Sequence, residues 1–385
     1  MPLNFLQIQG GELMSQNTTS TTLIISRNGT TEADTIWSSE EPQHNKSKGN
    51  NSDDNPPTTL AGIPDNYLDR VYIYWYYLGG VVCSIISFVG IGGNIVTMII
   101  LLSPEMKSST SIFLIVLAMF DSCLLLTNIL ITGMKWLLVY TDYYSSYVYH
   151  FMLPAYPTMF AISSISHTGS IYIVVAVNVE RYIAVCHPLK AASFCTISRA
   201  IKTSMGVVMM CVLYNVPRYF EVYLKWDWVP EFNQTMLVVG ISDMSYNYWY
   251  LTVYLVYINV IVKFVIPGVL LVILNTIMVR KLYRTKPNLQ KQERKGSEKE
   301  RFTAMVLAVV VVFLVSLAAA CMELIMYEVN SAITLDECSE ICGYISGVSQ
   351  ISVVINSAVN FILFCFFGRR FRGVFVKKFL SCCRR

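Results

Sequence analysis

The sequence predicts an all-α membrane protein: a bundle of seven transmembrane helices, preceded by a disordered N-terminal tail and followed by an amphipathic surface helix. Three observations lead there. Hydrophobic residues make up 54% of the 385-residue chain and charged ones only 14%, too little polar surface to cover a water-soluble core. Seven apolar segments follow one another, each near the roughly 20 residues a helix needs to cross a bilayer. Lysine and arginine collect in alternate loops, as expected where one side of a membrane retains positive charge.

Residues 1–66 are rich in Asn, Ser, Thr, Asp and Pro, a composition that buries too little apolar area to offset ordering. Asn-x-Ser/Thr sequons stand at Asn17, Asn28, Asn45 and Asn50, and they acquire meaning if this tail lies outside the cell. Met1 to Gln16 has no basic segment leading into an apolar core, so the first span is expected to direct insertion itself.

The bundle is expected over residues 67–368, with spans near 71–102, 109–138, 154–186, 199–219, 249–282, 302–328 and 343–367. The basic residues Lys107, Lys190, Arg199 and Lys202, and those between Arg280 and Arg301, fall on one side. Asp142, Asp227, Glu231, Asp243, Asp336, Glu337 and Glu340 fall on the other, with a further sequon at Asn233. This asymmetry predicts a plasma-membrane protein with its N-terminus extracellular and its C-terminus cytoplasmic. In the last piece, residues 369–385, Phe371, Phe375 and Phe379 recur at helical spacing among basic residues, suited to a helix lying on lipid. Cys382 and Cys383 beyond it are candidates for palmitoylation.

Several function classes lose support. No Lys/Arg cluster is interleaved with base-stacking aromatics, so nucleic acid is not an expected partner. The eleven cysteines form no CxxC pair, and no nucleophile–base grouping or phosphate loop suggests an enzyme. A seven-span transporter would call for internal repeats or paired intramembrane charges; only Asp121 and Lys263 stand out as charged within spans.

The third segment ends Glu180-Arg181-Tyr182-Ile183-Ala184-Val185-Cys186-His187-Pro188-Leu189, an acid and a base in series, then a further turn halted by proline. With Asn94 in Gly93-Asn94-Ile95-Val96 and Asp121 in Leu117-Ala118-Met119-Phe120-Asp121, this string resembles the rhodopsin-like (class A) G-protein-coupled receptors. The stretch Leu213-Tyr214-Asn215-Val216-Pro217-Arg218-Tyr219-Phe220-Glu221 narrows the resemblance to invertebrate FMRFamide-type neuropeptide receptors, over roughly residues 70–380.

The resemblance implies a receptor for a peptide ending in Arg-Phe-amide, with a heterotrimeric G protein met by Glu180, Arg181, Tyr182, Pro188 and Leu189. It also implies a sodium-binding pocket made by Asp121, Ser170, Asn356, Ser357 and Asn360, with Asn94 in the same polar network. Oxygen ligands around one carboxylate suit a hard cation, and an ion-free hydrogen-bonded network stays open as the alternative. No other cofactor is expected. Two further alternatives remain: a peptide-binding protein with little signalling, and the transporter.

For a cationic peptide, acids near the pocket mouth are wanted, which selects Glu221, Asp243, Glu323 and Glu328. His167, Arg218, Asn259 and Lys263 complete the ligand candidates. Lys263 lies deep in the fifth segment, where it either meets ligand carbonyls or an acid, or pairs with Glu323 or His167. The family's third-helix cysteine is Tyr156 here, and residues 219–250 contain no cysteine to pair with one. Cys338 and Cys342 could instead form a local bridge if helical, since i, i+4 Cα atoms fit the roughly 4.4–6.8 Å range. Ser316-Leu317-Ala318-Ala319 and Asn360-Phe361-Ile362-Leu363-Phe364 replace the family's sixth- and seventh-helix proline motifs. Without proline a helix keeps its backbone hydrogen bonds. Lys299 stands where the family carries the acid that restrains the arginine.

Overall fold

The computed structural model describes residues 65–229, 234–285, 308, 310–323 and 339–380. Six helices are long and apolar enough to cross a membrane: α1 (Arg70–Leu101), α2 (Ser109–Leu138), α3 (Tyr143–Cys186), α4 (Ile197–Tyr219), α5 (Thr252–Lys281) and α7 (Ile341–Ala358). Between the last two lies a shorter apolar helix, α6 (Val310–Glu323). A short helix, α8 (Arg369–Phe375), follows Gly368 and runs on into a π-helical turn, Val376–Leu380. The sequons at Asn17, Asn28, Asn45, Asn50 and Asn233, and Glu328, Lys299, Cys338, Cys382 and Cys383, lie outside the described residues. Cys342 sits in α7, but the pairing with Cys338 therefore falls outside as well.

Local chemistry sets the helix ends. Ser108 caps α2 by accepting from the Ser111 amide, and Thr196 caps α4 by accepting from that of Arg199; each satisfies an amide that has no intrahelical partner. α3 stops at His187, whose backbone turns to φ −132°, ψ 60°. The residue before a proline is pushed out of the helical region, and Pro188 opens a separate short helix, Pro188–Phe194. α3 starts earlier than its expected 154: residues 143–153 continue the helix because Tyr144, Val148, Tyr149, Met152 and Leu153 find a buried cluster to join.

The interior is divided. At the Arg181 end, Ile100, Leu114, Leu117, Ile171, Ile173, Leu271, Phe313 and Phe364 form one core drawn from six helices. At the opposite end a second cluster gathers the start of α3 and an antiparallel hairpin, β1 (Val222–Val229) and β2 (Gln234–Ile241), paired from Val222↔Ile241 to Val229↔Gln234. Large apolar side chains such as Phe88, Met205, Met209 and Leu213 point outward, while Asn94, Asp121, Asn178, Asn215 and Asn360 are buried. Apolar groups outside and polar groups inside is the arrangement a lipid solvent selects.

α7 passes through Val359 without losing its ladder: Val359 donates to Ile355 O at 2.9 Å and Leu363 to Val359 O at 3.0 Å. Asn360–Phe367 carries the helix on, as the missing proline leads one to expect. α8 departs from the surface-helix expectation in one respect. Phe371 and Val374 are buried in the Arg181-end core and Phe375 packs against it, because Phe361 and Phe364 offer ring contacts at 5.8–6.2 Å. The apolar face of α8 is therefore used mostly on the bundle, leaving Phe379 exposed.

Lys377, beyond α8, pairs with Glu105 at 2.5 Å. Hydrogen bonding to that ammonium holds the Glu105 carboxyl below its ordinary range. The contact is present at neutral pH and is lost as pH falls through this lowered value.

α1 and α7 touch where Gly90 meets Ala358: a Cβ on Gly90 would lie 2.6 Å from the Ala358 Cβ and 2.9 Å from its Cα. Backbone cannot swing aside as a side chain can. Gly90→Val is expected to cost about 1–3 kcal/mol by overpacking, read as a lower thermal midpoint in detergent. Gly92→Ala, with nothing within 4 Å of its Cβ, should leave that midpoint in place.

Candidate functional site

At one end of the bundle, the Glu180 carboxylate is buried and accepts a hydrogen bond from the Ser109 hydroxyl at the start of α2. Its other oxygen stands 4.0 Å from the Arg181 guanidinium. The acid is thus shared between a neighbouring helix and the adjacent base, which ties Arg181 to α2 through one carboxylate. The Tyr182 ring meets His187 edge-on at 5.6 Å, and Leu189 is 94% exposed beside Pro188. One turn further in, Asn275 of α5 donates to Asn178 Oδ1 of α3 at 3.1 Å. That bridge escaped sequence reasoning, since an intramembrane asparagine announces a partner without naming it.

In the middle of the bundle Asp121, with no exposed surface, accepts from Ser170 at 2.8 Å on Oδ1 and from Asn360 at 2.7 Å on Oδ2. Ser357 faces the same carboxylate, and Asn94 donates to the Ser357 carbonyl at 3.1 Å. Helices α1, α2, α3 and α7 with its continuation meet in this knot. The Asn94 Oδ1 is buried without a hydrogen-bond partner, so the network keeps an uncommitted acceptor oxygen in addition to the carboxylate and the Ser170 and Ser357 hydroxyls. That donor set fits a small hard cation. In place of a sixth-helix proline motif, Ser316 of α6 donates to the Ser352 carbonyl of α7 at 2.8 Å.

A small cavity opens above the knot, about 10 Å³ in volume, lined by Ser170, Asn356 and Ser357 below and by His167, Phe264 and Phe313 around it. Space of this size holds about one water. On the hairpin side stand two charged groups. Lys263 of α5 is 7% exposed and its ammonium lies 5.8 Å from the Tyr214 ring centroid; Glu323 of α6 is also 7% exposed. No ion pair between them, or between Lys263 and His167, occurs among the described residues. Asn259 is spent internally: it donates to the Tyr254 and Leu255 carbonyls and accepts from the Tyr214 phenol at 3.0 Å.

Glu221 departs from expectation most clearly. Rather than waiting at a pocket mouth, it is 2% exposed and fully engaged. Arg218 at the end of α4 reaches its carboxylate at 2.6 Å, and the Tyr250 phenol donates to the same oxygen at 2.5 Å. The Glu221 carbonyl accepts from the Ser242 amide and the Ser245 hydroxyl, both at 2.9 Å. Arg218 also covers the Phe160 ring at 5.4 Å. Beside this clasp Tyr156 stacks on Phe160 and packs with Val222 and Val239 of the hairpin. The position that the family resemblance assigns to a disulfide is filled by an aromatic cluster and a buried ion pair.

The hairpin itself was not foreseen, although Val222-Tyr223-Leu224-Lys225-Trp226-Asp227-Trp228-Val229 carries the β-branched and aromatic residues of a strand. Lys135 of α2 was also passed over; it is 6% exposed, with its ammonium 5.2 Å from the Trp136 ring centroid.

A helical bundle of membrane-crossing length, with a charged pair near the end of its third helix and a polar knot at its centre, is the build of a multi-pass membrane protein. Comparison with known proteins makes this specific: the family described as serpentine type 7TM GPCR chemoreceptor Srw matches residues 81–383. The chain belongs to this family of seven-transmembrane G-protein-coupled receptors; it is a multi-pass membrane receptor, not an enzyme. Among its relatives, the FMRFamide receptor of Drosophila melanogaster is 33% identical over 80% of this chain and 54% of that receptor. The FMRFamide peptide receptor frpr-18 of Caenorhabditis elegans is 26% identical over 78% of this chain and 68% of its own. A thyrotropin-releasing hormone receptor of Gallus gallus is 25% identical over 77% of each. The chain spans about half the length of the Drosophila receptor it matches.

Proposed function

We propose that the chain is a receptor for an extracellular neuropeptide of the Arg-Phe-amide type and passes binding at the hairpin end to a heterotrimeric G protein at the Arg181 end. The observation that carries this reading is the likeness to receptors named for FMRFamide in both fly and nematode. In this reading the hairpin end is extracellular and the Arg181 end cytoplasmic, in line with the Lys/Arg asymmetry of the loops. Glu323, buried and not committed to a partner among the described residues, is the acid that would take the ligand guanidinium; such pairs are charge-assisted and bidentate. Glu180, Arg181, Tyr182, Pro188 and Leu189 form the face offered to the G protein. The test is a G-protein activation reporter in cells expressing the chain, challenged with Phe-Met-Arg-Phe-amide and with its free acid. A response to the amide supports the reading, and silence to both overturns it.

Asp121, Ser170, Asn356, Ser357 and Asn360 would hold a sodium ion, with Asn94 completing the polar shell. The ion would favour the bundle conformation that keeps this knot closed, so agonist affinity is expected to fall as sodium replaces a bulky organic cation. A ligand shifts a two-state equilibrium only by its differential affinity for the two states. Asp121→Asn removes the one charged ligand. It should abolish the sodium dependence of agonist binding measured at constant ionic strength.

A further inference from the structure

Lys263 presents an unresolved charge. It is 93% buried by the 7% exposure of its residue, near the middle of a membrane helix, and an ammonium brings three donors and no acceptor. Among the described residues it makes no hydrogen bond and no ion pair; the Tyr214 ring face stands 5.8 Å from its ammonium. Such a ring offsets only part of the cost of desolvating an ion.

The neighbouring charges do not compensate it. Arg218 and Glu221 act on Lys263 electrostatically, but they are bound to each other at 2.6 Å and their charges cancel. Asn259, one turn away and the nearest acceptor along the helix, already accepts from Tyr214. His167 lies within electrostatic range of Lys263, and a histidine is neutral or cationic, never an anion. Among the described residues no acid pairs with Lys263, whose ammonium is left with donors to place. Its chain neighbour Phe264 and His167 both line the cavity above the Asp121 knot, which puts Lys263 one residue along α5 from that cavity's wall.

We propose that Lys263 receives a carboxylate of the bound ligand, so that the receptor's ligands are dipolar: a guanidinium for Glu323 and an acid for Lys263. This rests on the peptide-receptor reading above and narrows it, because a peptide with only basic and neutral groups would leave one of two buried charges uncompensated. The carboxylate has two sources, an Asp or Glu side chain upstream of the Arg-Phe pair, or a free C-terminus.

Four probes separate them: Asp-Phe-Met-Arg-Phe and Asn-Phe-Met-Arg-Phe, each as amide and as free acid, assayed for G-protein activation on the wild-type chain, Lys263→Gln and Lys263→Arg. Surface labelling confirms that each variant reaches the membrane. The expected result is an Asp peptide at least about tenfold more potent than its Asn twin on the wild type. That ratio should collapse towards one in Lys263→Gln and persist in Lys263→Arg, which keeps the charge. A free acid that outperforms its amide, with the advantage removed by Lys263→Gln, assigns the carboxylate to the C-terminus instead and equally supports the proposal. Equal potency of all four probes on the wild type overturns the proposal, as does any carboxylate preference that survives Lys263→Gln. A wild type silent to all four overturns the peptide reading and the proposal with it; failure of the proposal alone leaves strong responses that ignore the acid.

Discussion

Replacing Glu221 with alanine is expected to loosen the hairpin end of the receptor and to cost about 3–5 kcal/mol, the penalty for stripping one partner from a buried ion pair. Arg218 would keep its charge with its side chain only 12% exposed, and the Tyr250 phenol would lose its acceptor. The check is a thermal unfolding midpoint of the purified protein in detergent, together with the fraction of chains reaching the cell surface; both should fall. The double variant Arg218→Leu, Glu221→Leu should recover much of the loss, because apolar replacement of a whole buried pair is often neutral. A double variant as unstable as Glu221→Ala would mean that the hydrogen bonds to Tyr250, rather than charge balance, set the cost.

Arg181→Ala should have the largest effect on signalling: agonist-driven G-protein activation reduced at least about tenfold, with peptide binding at the surface retained. The reason lies in position. Arg181 is linked to α2 through Glu180 and Ser109, at the end of the bundle opposite the hairpin. Radioligand binding and nucleotide exchange measured on the same membranes separate the two effects. Parallel loss of binding and exchange would count against a transducing role.

The parts most legible in the sequence were those whose chemistry is expensive in lipid. Asp121, Asn94 and Asn360 could be singled out because a polar group at membrane depth demands company, and the fold brings them together. Glu180-Arg181-Tyr182 was legible because a proline-terminated helix end fixes where those side chains stand. Glu221 was misjudged for a related reason: its charge was visible, but its nearest cation, Arg218, is three residues away, and a helix end followed by a strand gave no angle at which to pair them. In the hairpin, Lys225 and Asp227 alternate with Leu224, Trp226 and Trp228 at the strand period, and the two charged residues, on one face, pair with each other at 2.7 Å. The Asn178–Asn275 bridge spans 97 positions, a separation over which no local periodicity carries information.

The joint at Tyr156 has a consequence for how such a receptor can vary. A cystine is present or absent; it holds with one strength and needs an oxidant to form. Here the same strand is moored by ring stacking, aliphatic contacts and one ion pair, each separately adjustable by a single substitution worth on the order of 1 kcal/mol or more. The tilt and looseness of the hairpin against the start of α3 become graded quantities. Related chains could shift ligand preference by retuning the mooring while leaving every pocket residue unchanged.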